Sequence, residues 1–132
     1  MRPFQTRLFQ MLNRRLLRSK VVQALYAHYI ATESNRLLAL DEIADAYKPD
    51  LNSMEPQNLE KLEGLRQLAS MTLDELIQTG SPNRDEEIPF EVIQTARKAF
   101  SGYVRATELD QKKTVRRILT ETEAIYDEFL LV

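Results

Sequence analysis

Three arginines lie close together near the start of the chain and have the clearest chemical potential: Arg14, Arg15 and Arg18. Each guanidinium group presents a planar fork of N–H donors that matches the oxygens of a phosphate or a carboxylate. Asn13 precedes them, and its side-chain oxygen is suited to accept a hydrogen bond from the first turn of a helix. The pattern therefore predicts a helix that begins at Asn13, with the arginines in its first turn and a half.

Cations are unfavourable at that end of a helix, because free amide groups and the helix dipole make the N-terminus partly positive. The three charges together would cost on the order of 1–2 kcal/mol unless an anion lies nearby. This cost favours a site where the arginine side chains and the free amides bind phosphate oxygens. The alternative is a solvated basic end, or ion pairs with carboxylates elsewhere in the chain.

The charge of the chain is unevenly distributed along its 132 residues. Six cations and no carboxylate precede Glu33, which gives this stretch a charge of +6, whereas the remainder has twelve cations and twenty carboxylates, or −8. A basic arm on an acidic body is typical of a protein that binds a polyanion at one end. RNA, DNA and an anionic membrane surface all fit this pattern.

Residues suited to other chemistry are scarce. His28 is the only histidine and there is no cysteine, so no cluster of such ligands and no nucleophile–base pair built on several histidines is available. We expect His28 to be a packed, hydrogen-bonded core residue. Asp85, Glu86 and Glu87 could bind Mg²⁺, but acids before a helix more often stabilise its start. Together with the absence of a glycine-rich phosphate loop, these features predict no enzymatic activity, no cofactor and no metal site.

Apolar residues recur at helical spacing through most of the chain, and no alternating strand pattern occurs. We therefore predict an all-α fold, an antiparallel bundle of about four to five helices. The first helix is expected to end at a break over 33–35, the second before Pro49, and the third to run from Pro56 to Gly80. The fourth begins at Pro89, and no glycine or proline interrupts 108–113, so it can be continuous with the fifth. The residues expected to face the core from the first helix are Leu17, Val21, Ala24, Leu25 and His28.

The composition is that of one soluble domain, with 43% hydrophobic and 29% charged residues. No apolar run is long enough for a membrane span or for the core of a signal peptide. The lack of cysteine fits a cytoplasmic location, and we expect no membrane partner.

The stretch from Asn13 to Tyr26, NRRLLRSKVVQALY, resembles the N-terminal RNA-binding helix of the NusB family of bacterial transcription antitermination factors. In that family an arginine-rich start runs into an AVQALY-like core, and the long variants of Bacteroidetes are the most similar. The resemblance implies a NusB-like N-terminal fold and binding of boxA-like single-stranded RNA in ribosomal RNA transcripts. It also implies two protein partners, the small-subunit ribosomal protein that acts as NusE and the RNA polymerase complex. The residues to which it assigns RNA contacts are Arg14, Arg15, Arg18 and Lys20.

On the same resemblance, residues 1–12 are an N-terminal extension and residues 13–132 form the helical domain. The chain ends in an apolar run over 129–132, and it has no counterpart to the KFVNGVLD-like motif of the family's second helical bundle. We therefore expect the N-terminal part of a longer protein, with the stretch over 56–114 specific to its lineage. The apolar end could also join two copies as a homodimer. The alternative function is a helical protein–protein interaction domain without direct RNA binding, which would use this end and the acidic body.

Overall fold

The computed structural model describes residues 3–82 and 87–131, and the side chains of residues 7–8, 10–82 and 87–127. These residues form three α-helices and no strand: α1 is Pro3–Ala46, α2 is Leu59–Thr79 and α3 is Phe90–Leu131. The prediction of an all-α fold is confirmed. The described residues contain three helices instead of the four to five that the sequence predicted, because two of the expected boundaries lie inside longer helices.

Helix α1 is one continuous helix of 44 residues. It passes through Asn13, where the sequence predicted a helix start, and through Ser34 and Asn35, where it predicted a break. Both predictions were wrong. After Pro3, which suits the first position of a helix, α1 contains no proline or glycine, and a serine or asparagine in a helix interior costs less than about 0.7 kcal/mol. That cost is too small to interrupt a helix that packs along its length.

Helix α2 is bounded by a side-chain cap at its start and a backbone cap at its end. The Oδ1 atom of Asn58 accepts a hydrogen bond from the amide of Lys61 at 3.2 Å, so the helix begins after Asn58 and not at Pro56 as predicted. At the other end Gly80 has a φ of 79°, and its amide donates to the carbonyl of Leu76 at 2.9 Å. This left-handed glycine cap confirms the predicted helix end.

Helix α3 joins the fourth and fifth predicted helices into one element of 42 residues, as the lack of a helix breaker between them allowed. Its start follows Pro89, whose carbonyl accepts a hydrogen bond from the amide of Ile93 at 3.2 Å. Gly102 lies within α3. A Cβ atom at this position would have Glu42 Oε2 as its nearest neighbour, at 3.8 Å, which is an ordinary contact, so packing does not require a glycine here.

The chain divides into two compact units, and both α1 and α3 contribute to each of them. The hairpin unit comprises Met1–Glu33 and Thr107–Val132, and the three-helix unit comprises Ser34–Ala106. The boundary in α1 therefore falls at the polar stretch that the sequence analysis interpreted as a helix break. The polar residues mark a change of packing partners along an unbroken helix.

The core of the three-helix unit brings all three helices together. Its buried residues are Ala39, Ile43, Ala69, Leu73, Val92 and Ala99. Three of the six are alanines, one from each helix, and small side chains let helix backbones approach closely. Burial of a side chain such as Ile43 or Leu73 contributes about 1.5–3 kcal/mol. At the edge of this core, Arg36 in α1 donates from Nε to Asp74 Oδ1 in α2 at 3.1 Å and from Nη2 to Oδ2 at 3.4 Å.

The hairpin unit consists of two antiparallel helix segments. Residues 24–31 of α1 lie beside 110–117 of α3, and residues 10–17 lie beside 125–126. Among the described hydrophobic side chains of this unit, only Ala24 and Ile125 are buried. Leu25, predicted to face the core, is more than half exposed, because a single partner helix covers only a narrow strip of α1. Across the described residues, no helix contains an apolar stretch long enough to cross a bilayer.

Candidate nucleic-acid interface

Arg14, Arg15 and Arg18 lie in the interior of α1. Arg14 is eleven residues beyond Pro3, which corresponds to about 16 Å along the helix axis. The influence of the helix dipole is confined to the first turn, and interior backbone amides are already bonded to carbonyls one turn earlier. The predicted phosphate cradle of free amides at Asn13 was therefore wrong. Only the arginine side chains remain as candidate ligands for an anion.

All three arginine side chains are exposed to solvent. Among the residues whose side chains are described, no carboxylate forms an ion pair with any of them. The first acidic residue in α1 is Glu33, fifteen positions after Arg18. Arg14 and Arg18 are also one turn apart, and like charges at this spacing are mildly destabilising. The cluster thus keeps its donors available to an external anion, and no described carboxylate balances its charge.

A shallow cleft of about 260 Å³ adjoins Arg14 in the hairpin unit. Its lining residues are Gln10, Asn13, Arg14 and Leu17 of α1 with Ile125 and Tyr126 of α3. Two side-chain amides and an exposed phenol ring therefore line the same cleft as Arg14. Amides can hydrogen-bond phosphate oxygens or base edges, and an aromatic ring can stack on a base.

Lys20 does not share the setting of the three arginines. Its side chain is half-buried, and it follows Arg14 by six residues and Arg18 by two, so it lies on a different side of the helix. The structure therefore groups Arg14, Arg15 and Arg18 and separates Lys20 from them.

Sequence reasoning missed a second basic cluster, on α3. Its members are Lys112, Lys113, Arg116 and Arg117, and all four side chains are exposed. Lys112 and Lys113 precede Arg116 and Arg117 by four residues, so the two pairs lie on neighbouring turns of a helix. This spacing is visible in the sequence and could have indicated the cluster. Arg117 donates to Glu121 Oε1 at 3.4 Å, so one of the four charges is partly balanced. The cluster belongs to the hairpin unit, the same unit as Arg14, Arg15 and Arg18.

The two units differ in the sign of their charge. The hairpin unit contains ten lysines and arginines and seven carboxylates, a net charge of +3. The three-helix unit contains eight cations and thirteen carboxylates, a net charge of −5. Together these give the −2 of the whole chain. The charge asymmetry of the sequence is therefore a property of the units, and the hairpin unit is the one suited to a polyanion.

His28 faces a groove of about 190 Å³ in the hairpin unit. Three alanines of α1 line the groove, together with four side chains of α3: Asp110, Lys113, Thr114 and Arg117. The His28 carbonyl accepts a hydrogen bond from Thr32 Oγ1 at 2.9 Å, whereas its ring Nδ1 has no partner among the described residues. The side chain is half-buried. His28 was predicted to be a packed, hydrogen-bonded core residue. It is half-buried instead, and its Nδ1 makes no hydrogen bond with a described residue.

The remaining candidates from the sequence are acidic side chains. Within the part of the chain that the structure describes, no group of three or more histidine, aspartate or glutamate side chains could hold a metal ion. Asp85 and Glu86 lie outside the described residues.

Arg66 hydrogen-bonds Glu63 one turn earlier on α2, through Nε at 3.0 Å, and this lowers the pKa of the Glu63 carboxyl. Both groups are exposed, and the pair is typical of a helix surface.

Comparisons with protein-family models, with curated proteins and with solved structures find no match to this chain. The NusB resemblance over Asn13 to Tyr26 therefore stays a prediction. The assignment of function depends on it and on the charge and exposure of the hairpin unit.

Proposed function

We propose that the chain is an RNA-binding module of transcription antitermination that acts on boxA-like single-stranded RNA. The observation that carries the proposal is the exposed arginine cluster of Arg14, Arg15 and Arg18, which no described carboxylate balances, in a unit of net charge +3. Phosphate contacts from such side chains supply affinity and fix the position of the RNA. Lys20, on a different side of the helix, supplies a weaker contact.

The resemblance of Asn13 to Tyr26 to the NusB family supports RNA over other polyanions. It also supports the proposed partners, the ribosomal protein that acts as NusE and the RNA polymerase complex, and a cytoplasmic site of action on nascent transcripts. In this function the protein positions RNA and performs no chemical step, so no catalytic residue is assigned.

A salt titration tests the proposal. Fluorescently labelled boxA-type RNA and a scrambled RNA of equal length are titrated with the chain at several salt concentrations. Three phosphate contacts on a single strand predict that log affinity falls against log salt with a slope near about −2. Replacing Arg14, Arg15 and Arg18 by alanine should make this slope shallower by about 2 and weaken binding about tenfold or more at low salt.

A matched control variant separates the effect of the proposed binding site from the effect of net charge on RNA affinity. Arg97, Lys98 and Arg105 are exposed cations of α3 in the acidic three-helix unit, so their replacement by alanine removes the same charge. The control variant should keep the slope of the unchanged chain. Equal losses in both triple variants would mean that net charge alone governs binding, and an unchanged slope in the Arg14, Arg15 and Arg18 variant would refute the proposed contacts.

The alternative, a helical protein-interaction domain, is favoured by the exposed apolar side chains of the hairpin unit. Those more than half exposed include Met11, Val22, Leu25, Leu119 and Tyr126. Large apolar side chains left exposed in such numbers often mark a protein contact. The predicted dimer contact at 129–132 lies outside the described side chains. Light scattering that shows a concentration-dependent dimer, together with no RNA binding, would favour this alternative.

A further inference from the structure

One face of α1 carries cations in its first half and apolar or aromatic side chains in its second half. Its members, spaced by three or four residues, are Arg7, Met11, Arg14, Arg18, Val22, Leu25 and Tyr29. This spacing keeps all seven on one side of a helix, and each of the seven is exposed. We call these seven residues the α1 stripe. It lies entirely in the hairpin unit and spans about 33 Å along the helix axis.

The cationic half of the α1 stripe contains no acidic residue, and none precedes Glu33 anywhere in α1. Arg7 extends this half about two turns beyond the cluster proposed to bind RNA. Like Arg14 and Arg18, it forms no ion pair with a carboxylate whose side chain is described. Three cations aligned along one face suit successive phosphates of one strand better than a single small anion.

The second half of the α1 stripe ends in an exposed ring. Tyr29 is 66% exposed, and no described residue hydrogen-bonds its hydroxyl group. Leu25, one turn earlier, is also exposed, so the ring lies beside apolar surface. Exposed aromatic rings beside a cationic track are the features with which proteins hold single-stranded nucleic acid, because every base offers a flat face for stacking.

A second copy of this chain is a poor occupant of the same face. In an antiparallel pairing of two α1 stripes centred on Arg18, the two copies of Arg18 would meet, with no acidic residue on the face to offset them. A single strand of RNA supplies both the negative charge and the planar groups that the two halves of the stripe match.

We infer that single-stranded RNA lies lengthwise along the α1 stripe, with phosphates on Arg7, Arg14 and Arg18 and a base stacked on Tyr29. This inference rests on the proposed function and deepens it. It adds two binding residues, Arg7 and Tyr29, of which one lies upstream and the other downstream of the NusB-like stretch. It also sets the path of the RNA strand, which runs along the helix axis of α1.

Two single variants test the inference with boxA-type RNA and with a uridine homopolymer as probes. Arg7→Ala should reduce the salt slope by about 0.7, the contribution of one phosphate contact on a single strand. Tyr29→Leu keeps an apolar side chain and removes the ring, and it should weaken binding about five- to a hundredfold. Tyr29→Phe keeps the ring and should bind as the unchanged chain does.

The controls use side chains of the same type at other positions. Phe90 is an aromatic side chain in the three-helix unit and is 70% exposed, so Phe90→Leu should change affinity less than twofold if the stripe alone carries the RNA. Lys98→Ala removes an exposed charge from the three-helix unit and should leave the slope unchanged. Far-UV circular dichroism of each variant verifies that the helices are retained.

The outcomes separate the inference from the proposed function. If the Arg14, Arg15 and Arg18 variant loses binding while Arg7→Ala and Tyr29→Leu both bind as the unchanged chain, the proposed function stands and the lengthwise track is overturned. If Phe90→Leu weakens binding as much as Tyr29→Leu, the loss is not specific to the stripe and the stacking on Tyr29 is overturned. If the unchanged chain binds neither probe, the proposed function itself fails.

Discussion

The continuity of α1 through Ser34 can be tested by a proline substitution at that position. Ser34 is exposed and begins the three-helix unit, at the boundary with the hairpin unit. In a continuous α-helix its amide bonds the carbonyl of Ile30, and a proline would remove this bond and clash with the same carbonyl. At a break between two helices, proline would be well tolerated, because helices often begin with it. The two interpretations of this stretch therefore predict different stabilities for Ser34→Pro.

The expected loss of stability is estimated by comparing Ser34→Pro with Ser34→Ala. The alanine variant also removes the serine hydroxyl but keeps the helix, so the difference between the two variants isolates the backbone effect. In a helix interior proline is about 3 kcal/mol less favourable than alanine. With denaturant slopes of about 1–3 kcal/mol/M in urea, the unfolding midpoint of the proline variant should lie about 1–3 M below that of the alanine variant.

The assay is urea unfolding followed by far-UV circular dichroism. Met54→Pro serves as a control for proline itself, because Met54 is fully exposed in the α1–α2 connection and its amide makes no hydrogen bond with a described residue. The free energy of unfolding of this control should change by less than about 0.5 kcal/mol. Equal midpoints for Ser34→Pro and Ser34→Ala would refute a continuous α1 and support the helix break that the sequence analysis predicted.

Three further predictions concern the three-helix unit. Leu73→Ala, at a fully buried core position, should lower the free energy of unfolding by about 2–5 kcal/mol in urea, whereas Leu59→Ala, at an exposed one, should change it by less than about 1 kcal/mol. Gly64→Ala should raise the melting temperature, because a Cβ atom there meets no atom within 4 Å and alanine is about 1 kcal/mol more favourable than glycine in a helix interior. Gly80→Ala should lower the melting temperature, because a φ of 79° is unfavourable for alanine. An NMR titration should find the pKa of Glu63 below its ordinary value and, in Arg66→Ala, shifted upward toward it. Because the folded-state pKa is lowered, the stability that this pair adds is present at neutral pH and is lost as the pH falls through that pKa.

The helix ends that the sequence predicted well are those with a local chemical cause. Gly80 ends α2 because only glycine adopts its left-handed backbone at little cost, and Pro89 precedes α3 because proline suits the start of a helix. The second predicted helix was expected to end before Pro49, and the α1 helix that contains it stops at Ala46. In each case the signal is within the residue itself, so no knowledge of its neighbours in space is needed.

Two of the predicted boundaries that failed, at Asn13 and at Ser34, were inferred from polar residues, and a polar residue does not by itself begin or end a helix. The third, a start at Pro56, failed because Asn58 caps α2 two residues later. Asn13 and Ser34 resemble a cap and a break, yet both lie inside α1 because the cost of a polar residue there is a fraction of 1 kcal/mol. Neither position was decided by local preference. Both lie within one continuous helix, and the sequence could indicate only that the character of the helix surface changes near Ser34, where the packing partners of α1 change.

The sequence by itself determined the helical class, the helix boundaries at Gly80 and near Pro49 and Pro89, and the concentration of arginines before Glu33. Tertiary structure alone decided that Arg14, Arg15 and Arg18 project from the middle of a long helix, that no described carboxylate pairs with them, and that a second basic cluster on α3 belongs to the same unit. The physical reason is that charge and backbone preference are properties of single residues. Exposure and pairing depend on which helix segments pack together, and pairs such as residues 24–31 with 110–117 are far apart along the chain.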